Sequence, residues 1–265
     1  MVKLYQFRLS ARGRKVFKEA RVRRRVLLGL VELLAGMLVS FSLVFKHGHL
    51  EAYCEESETG TLRRSIRKRA SAVVGVPFER VWCDPVESEP HLVTLLRYNA
   101  DQVVHHDLPE HPALFDGSYV QDMVGARALP GLRLRVAGAA PGFRVRQLYE
   151  WVGLPGVPIR PATDVEVRAA GIGRLKVAAA SATAADPELA GRRAPEVRAK
   201  RAIVHLARAA GIRPADVRWA LGLTQRGVEA HRARPADPCA LRATRVRLAL
   251  EDAVTRATWT RVKGS

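Results

Sequence analysis

The chain has 265 residues, 48% of them apolar, so it can bury a sizeable core and wholesale disorder is excluded. Lys and Arg number 44 against 26 Asp and Glu, a formal net charge of +18, which fits a polyanionic partner, either nucleic acid or an anionic membrane face. Three cysteines (Cys54, Cys83, Cys239) are too few and too scattered for a disulfide framework or a Cys-based zinc site, and they point to a reducing cytoplasm.

The charge is uneven. Residues 1–25 hold ten Lys or Arg against one Glu, and residues 191–265 hold seventeen against six Asp or Glu. Two basic ends therefore flank a near-neutral body. They suggest two contact surfaces on one polyanion, or one surface assembled from both.

Residues 3–9 alternate as a strand does, and Gly13 sits in a basic turn after them. Residues 26–45, VLLGLVELLAGMLVSFSLVF, carry one charge, Glu32, and have the length of a spanning helix. Arg21, Arg23, Arg24 and Arg25 precede them like a positive-inside flank. Three features oppose insertion: Glu32 lies too deep for a carboxylate, Gly36 splits the run, and its second half is strand-like. The prediction is a buried helix over 20–35, a turn at Gly36 and a buried strand over 37–45. No small-residue cleavage site follows a short apolar core, so no signal peptide is expected.

That strand runs into Lys46-His47-Gly48-His49-Leu50-Glu51-Ala52-Tyr53, and a polar loop follows. Residues 62–74 read as a basic amphipathic helix with Leu62, Ile66, Ala70, Val73 and Val74 on one face. Arg63, Arg64, Arg67, Lys68 and Arg69 form its wet side, and Gly75 and Pro77 close it. A short strand over 78–85 and a helix over 87–104 come next, then a loop-rich stretch to 131. His105, His106, Asp107, Glu110 and His111 fall in that stretch and read as a solvated loop. Ala, Gly and Pro dominate from 163 to 193, so 153–195 reads as an interdomain connection that can contain some helix. Gly171 and Gly173 are too isolated to mark a nucleotide site. The expected domains are 1–152 and 196–265.

Residues 197–210 predict a helix ended by Gly211. Pro214 opens a short helix to 221, Gly222 makes a tight turn, and Thr224 is the N-cap of another helix. This is the pattern of a helix-turn-helix. Thr224, Gln225, Arg226, Glu229 and Arg232 would face outward, where Gln reads adenine edges and Arg reads guanine or clamps phosphate. Trp219 reads as core and His231 as a surface residue.

Two histidines two apart on a strand, His47 and His49, point the same way and can grip one divalent cation. The chain carries no Walker loop, GxSxG or HExxH motif.

Over residues 4–130 the chain resembles the REP-associated tyrosine transposases, single-tyrosine HUH nucleases. Arg12, Gly13 and Phe17 match their opening turn, His47-Gly48-His49-Leu50 their HUH motif, and Leu62 to Ile66 the start of the helix after it. Residues 92–104, LVTLLRYNADQVV, and later Ser118, Tyr119 and Gly125 follow in the family's order. The resemblance implies a ferredoxin-like α+β domain with an antiparallel sheet that binds a DNA hairpin and acts as a dimer. It implies that His47 and His49 hold Mg²⁺ or Mn²⁺, and that a tyrosine on the following helix forms a 5′-phosphotyrosine link. A C-terminal all-α helix-turn-helix domain is attached to some members.

On that alignment the nucleophile falls near residue 73, where this chain has Val73, and Ser71 is a weak substitute. Tyr5 and Tyr98 match packing positions, Tyr53 has poor geometry for in-line attack, and Tyr119 and Tyr149 are unplaced. Pro77 stands where a third ligand is expected, and Gly48 replaces a large apolar residue. The expectation is a cytoplasmic, transposase-derived factor without a catalytic residue, binding hairpin single-stranded and duplex DNA. Its contacts would be Arg63, Arg64, Arg67, Lys68, Arg69, Thr224, Gln225, Arg226 and Arg232. The alternatives are an active metal-dependent single-strand endonuclease or transposase using another tyrosine, and a membrane-anchored DNA-binding regulator.

Overall fold

The computed structural model describes residues 1–11, 14–154 and 159–257. Arg12 and Gly13 of the expected basic turn, and residues 258–265 of the expected C-terminal domain, lie outside them. The described residues fall into two compact units, residues 1–123 with 130–154, and residues 124–129 with 159–256.

The first unit opens as β1 (Val2–Ser10), α1 (Ala20–Leu34), β2 (Leu38–Val44), β3 (His47–Glu55), α2 (Thr59–Val74) and β4 (Arg80–Pro85). The strands form one sheet in the order β2-β3-β1-β4, every neighbouring pair antiparallel. This is the βαββαβ arrangement of ferredoxin-like domains. α3 (Glu89–His105) follows, then short helices α4 (Val120–Met123), α5 (Val136–Ala139) and α6 (Val145–Trp151).

Strand alternation divides the sheet into two unlike faces. Tyr5, Phe7 and Leu9 of β1 are buried, as are Leu50, Ala52 and Cys54 of β3. α1 and α2 pack together on this apolar side, α1 through Val26, Leu27, Leu30 and Leu34, α2 through Ile66 and Ala70. The other face carries Ser40, Ser42, His47, His49 and Glu51, and α3 covers part of it. Ser88 starts α3 as its N-cap, with Oγ accepting from the His91 amide at 3.3 Å.

Residues 26–45 are not one helix. Gly36 takes φ 74°, a left-handed value that suits glycine, and breaks the run into the end of α1 and the strand β2. Among the described residues no helix is long and apolar enough to cross a membrane. Two arginines of the supposed basic flank are buried. Arg23 Nη1 donates to the Phe17 and Lys18 carbonyls at 3.0 and 2.8 Å, and its guanidinium lies over the Phe115 ring. Arg24 pairs with Asp116 at 2.6 Å. These cations tie α1 to the 110–116 segment instead of marking a membrane surface.

The second unit contains α7 (Asp164–Ala182), α8 (Ala194–Ala209), α9 (Pro214–Leu221), α10 (Gln225–Arg232) and α11 (Pro238–Arg256). The stretch 153–195, expected as a connection, contains the 19-residue helix α7. A reciprocal Thr163–Glu166 capping box starts that helix, and Val167, Leu175, Ala178 and Ala179 sit in the unit's core with Ile203, Leu206 and Leu248. Its Ala-rich composition reflects close helix packing. Gly171, at φ 74°, kinks α7 and makes no loop. Trp219, expected in the core, is 87% exposed on α9, because Val217 and Leu221 occupy that helix's inward positions.

Candidate phosphodiester site

The histidines do not end a strand; they begin one. β2 turns at Phe45, which takes φ 42°, and Val44 pairs with His47 across the hairpin. His47, His49 and Glu51 then share the polar face of β3 by period-two alternation. Gly48 faces the apolar side of the sheet, where a Cβ would come within 2.8 Å of Leu43 Cδ2, so a larger residue there needs that side chain to shift.

α3 lies over these side chains. Its Asn99 Nδ2 donates to Glu51 Oε2 at 2.7 Å and to Ser40 Oγ at 3.2 Å, and Ser40 Oγ donates to the same carboxyl group. This buried network fixes the rotation of the helix. Tyr98, Gln102 and His105, spaced four and three apart, therefore project together, with His106 at the helix end. His47 Nε2 lies 3.1 Å from His106 Nε2 and 3.4 Å from Gln102 Oε1. The His47 and His49 rings stand edge to face at 5.2 Å, and Tyr98 stands edge to face with His49 at 5.3 Å. Tyr98 also lies 6.2 Å from His105, and His105 lies 5.1 Å from His106, ring to ring.

Two expectations change here. His106, assigned to a solvated loop, belongs to the cluster. Tyr98, assigned to packing, is 39% exposed and has its phenol ring beside the paired imidazoles. Of the other tyrosines, Tyr119 is fully buried and donates its hydroxyl to the Leu96 carbonyl at 3.1 Å, Tyr5 and Tyr149 are also buried, and Tyr53, half-buried further along β3, has the Arg135 guanidinium 5.8 Å from its ring. The signal for Tyr98 was in the sequence, as the run Tyr98, Gln102, His105 at helical spacing.

Burial sets the electrostatics. It holds His47 below the usual imidazole range, His49 at about 3 and His106 at about 4, with neighbouring imidazoles adding to the drop. These rings are neutral at physiological pH, the form that ligates metal or accepts a proton. Burial also pushes Glu51 up to about 7, against the hydrogen bonds from Ser40, Gln6 and Asn99.

The donor set fits a divalent cation in part. Both ring nitrogens of His49 are buried without a hydrogen-bond partner, as is Oγ of Ser42, its cross-strand neighbour. Such orphaned atoms ask for a ligand or water. Among the described residues no three His, Cys, Asp or Glu side chains converge as a metal group. A cation held by His47 and His49 would need the Gln102 amide oxygen or solvent to complete its shell.

The other sequence-derived residues lie elsewhere. α2 is on the apolar side of the sheet, so Val73 is not opposite the histidines but near Gly29 of α1, where an added Cβ would lie 3.6 Å from it. Arg63 Nε donates to the Val81 carbonyl at 2.8 Å, Arg67 leans on the Glu79 carbonyl at 3.4 Å, and Arg69 pairs with Glu32 at 3.3 Å. Arg64 reaches Thr61 at 3.0 Å, and Lys68 is exposed. In the second unit Thr224 caps α10, its Oγ1 accepting from the Gly227 amide at 3.1 Å, after Gly222 turns the chain at φ 59°. Gln225, Arg226 and Arg232 are exposed along α10, and Val228 is buried.

No family model matches the chain, and no curated protein matches it. Among solved structures it is similar to a REP-associated tyrosine transposase bound to a REP hairpin, at 13% identity and a TM-score of 0.40, over 46% of this chain and 79% of that one.

Proposed function

We propose that the first unit cleaves one strand of DNA, with Tyr98 as the nucleophile. The observation that carries this reading is the half-exposed phenol 5.3 Å, ring to ring, from His49. The Tyr98 oxygen would attack phosphorus and the bond to the 3′ oxygen would break. The products are a free 3′ hydroxyl and a 5′-phosphotyrosine ester. The phenolic proton would pass to water and on to the departing 3′ oxygen, since the single lone pair of a neutral His49 ring is taken when that ring ligates a cation. A divalent cation at His47, His49 and Gln102, Mg²⁺ or Mn²⁺, would polarise the scissile phosphate. The net charge of +18 supports a polyanionic substrate. The exposed N-cap Thr224 and the exposed residues Gln225, Arg226 and Arg232 of α10 would hold duplex DNA, with a homodimer as the working form.

A second reading, recognition of DNA without cleavage, is favoured by one observation: among the described residues no third His, Cys, Asp or Glu completes a metal group with the paired histidines. The test is incubation with Mn²⁺ and labelled single-stranded and hairpin oligonucleotides, followed by denaturation. A covalent adduct is expected with the native chain and none with Tyr98→Phe, while Tyr149→Phe retains it. Binding by both chains with no adduct from either would overturn cleavage and leave the second reading.

A further inference from the structure

α3 covers the polar face over β2 and β3, whereas the same face over β1 and β4 carries exposed Arg8, Arg80, Trp82 and Asp84. The strand registers align these residues with the histidines. Ser42 pairs with His49, His49 with Arg8, and Arg8 with Trp82, so one row crosses all four strands. Directly paired residues project from the same face of a sheet. Trp82 therefore stands on the side of His49, two strand spacings away, ~10 Å.

A tryptophan 37% exposed on the edge strand stands in line with His49, whose two ring nitrogens are buried without a partner. The Arg80 guanidinium lies 5.7 Å from its ring centroid and steadies the ring. Arg8, between Trp82 and His49, donates to Asp84 at 2.8 Å, and both partners are about half exposed. Asp84 moderates the positive charge of the row from the neighbouring register row, where it pairs with Gln6.

We propose that the open β1–β4 half of the sheet binds an unpaired nucleotide next to the scissile phosphate, with its base stacked on Trp82 and its phosphate on Arg8. An aromatic ring flanked by arginines on a sheet surface recognises single strands, since every base has a face to stack and a duplex has none free. This inference rests on the strand-cleavage reading for the meaning of the neighbouring site, but not for the binding itself.

The test uses the full chain with fluorescently labelled oligothymidylate and with a labelled duplex of the same length. Trp82→Ala is expected to weaken oligothymidylate binding roughly tenfold, the size of one lost base stack. Trp82→Phe should recover most of the loss, and duplex affinity should not move. Arg8→Ala should lower the salt dependence of oligothymidylate binding by close to one phosphate contact. Oligothymidylate affinity unchanged in Trp82→Ala, or an equal loss on the duplex, overturns the proposal. The two readings fail separately. A missing adduct with the Trp82 effect intact removes cleavage alone. An adduct that forms at the same oligonucleotide concentration in Trp82→Ala removes the base site alone.

Discussion

Glu51 and the histidines around it titrate in opposite senses. Glu51 sits at about 7 in the folded chain because it is buried, against 4.5 when free, so the folded state keeps a proton that the unfolded state gives up. Its contribution is fully present below pH 4.5 and is lost as pH rises towards 7. His49 at about 3, and His106 and His111 at about 4, do the reverse. The unfolded chain takes up protons below pH 6.5 that these rings refuse, so their contribution is present above 6.5 and is lost on acidification. Between pH 4.5 and 6.5 these depressed histidines, with His47 among them, outweigh Glu51, and stability is expected to rise with pH, as denaturant unfolding in chelator would show. Glu51→Gln removes the opposing group. Its stability relative to the native chain should improve from pH 5 to pH 8, by on the order of 3 kcal/mol for a shift of this size. A constant difference across that range would mean that Glu51 ionises normally in its buried site.

The elements are held by contacts that their own periodicity does not disclose. β2 is buried along its whole length because its outer edge is capped. Leu43 donates its amide to the Gly117 carbonyl at 2.8 Å, and the Tyr119 amide donates to Phe41 at 3.1 Å. This cover spares the sheet an unpaired edge, and it depends on a glycine. A Cβ at Gly117 would stand 2.3 Å from the Leu43 carbonyl oxygen and 2.6 Å from the Phe115 ring. Gly117→Ala should therefore cost about 3 kcal/mol, measured by urea unfolding, since backbone cannot yield as a flexible side chain does. Gly138→Ala, with open space around its Cβ, is the control and should change little. The amphipathic pattern of α2 made Ile66 and Ala70 legible as inward residues. Nothing in that pattern said that Arg63 would reach the backbone of β4 or Arg69 would pair with α1.

At the scale of the molecule the charge of +18 overstates the cations available to a phosphate. Arg23 and Arg24 are buried against carbonyls and acidic groups, and Arg198 is paired with Asp237. Affinity for DNA should still fall steeply between low and physiological salt, with fewer contacts than the formal charge suggests. Arg226→Ala should weaken duplex binding and reduce the magnitude of its salt slope by about one. A flat salt response would mean that the basic ends do not meet phosphate.

Alternating apolar residues, Gly36, the basic helix before Gly75 and the Thr224 cap were enough to place β1, α1, β2, α2 and the short helices of the second unit, because those signals act within a few residues of chain. The His-x-His pair was equally plain, since alternation alone puts both rings on one face. Local spacing could not say which helix would lie over that face. The choice of α3 came from a buried carboxyl group on β3 that takes hydrogen bonds from Asn99, nearly fifty residues later. That long-range pairing turned Tyr98 and Gln102 towards the histidines and left Val73 near α1 on the opposite face.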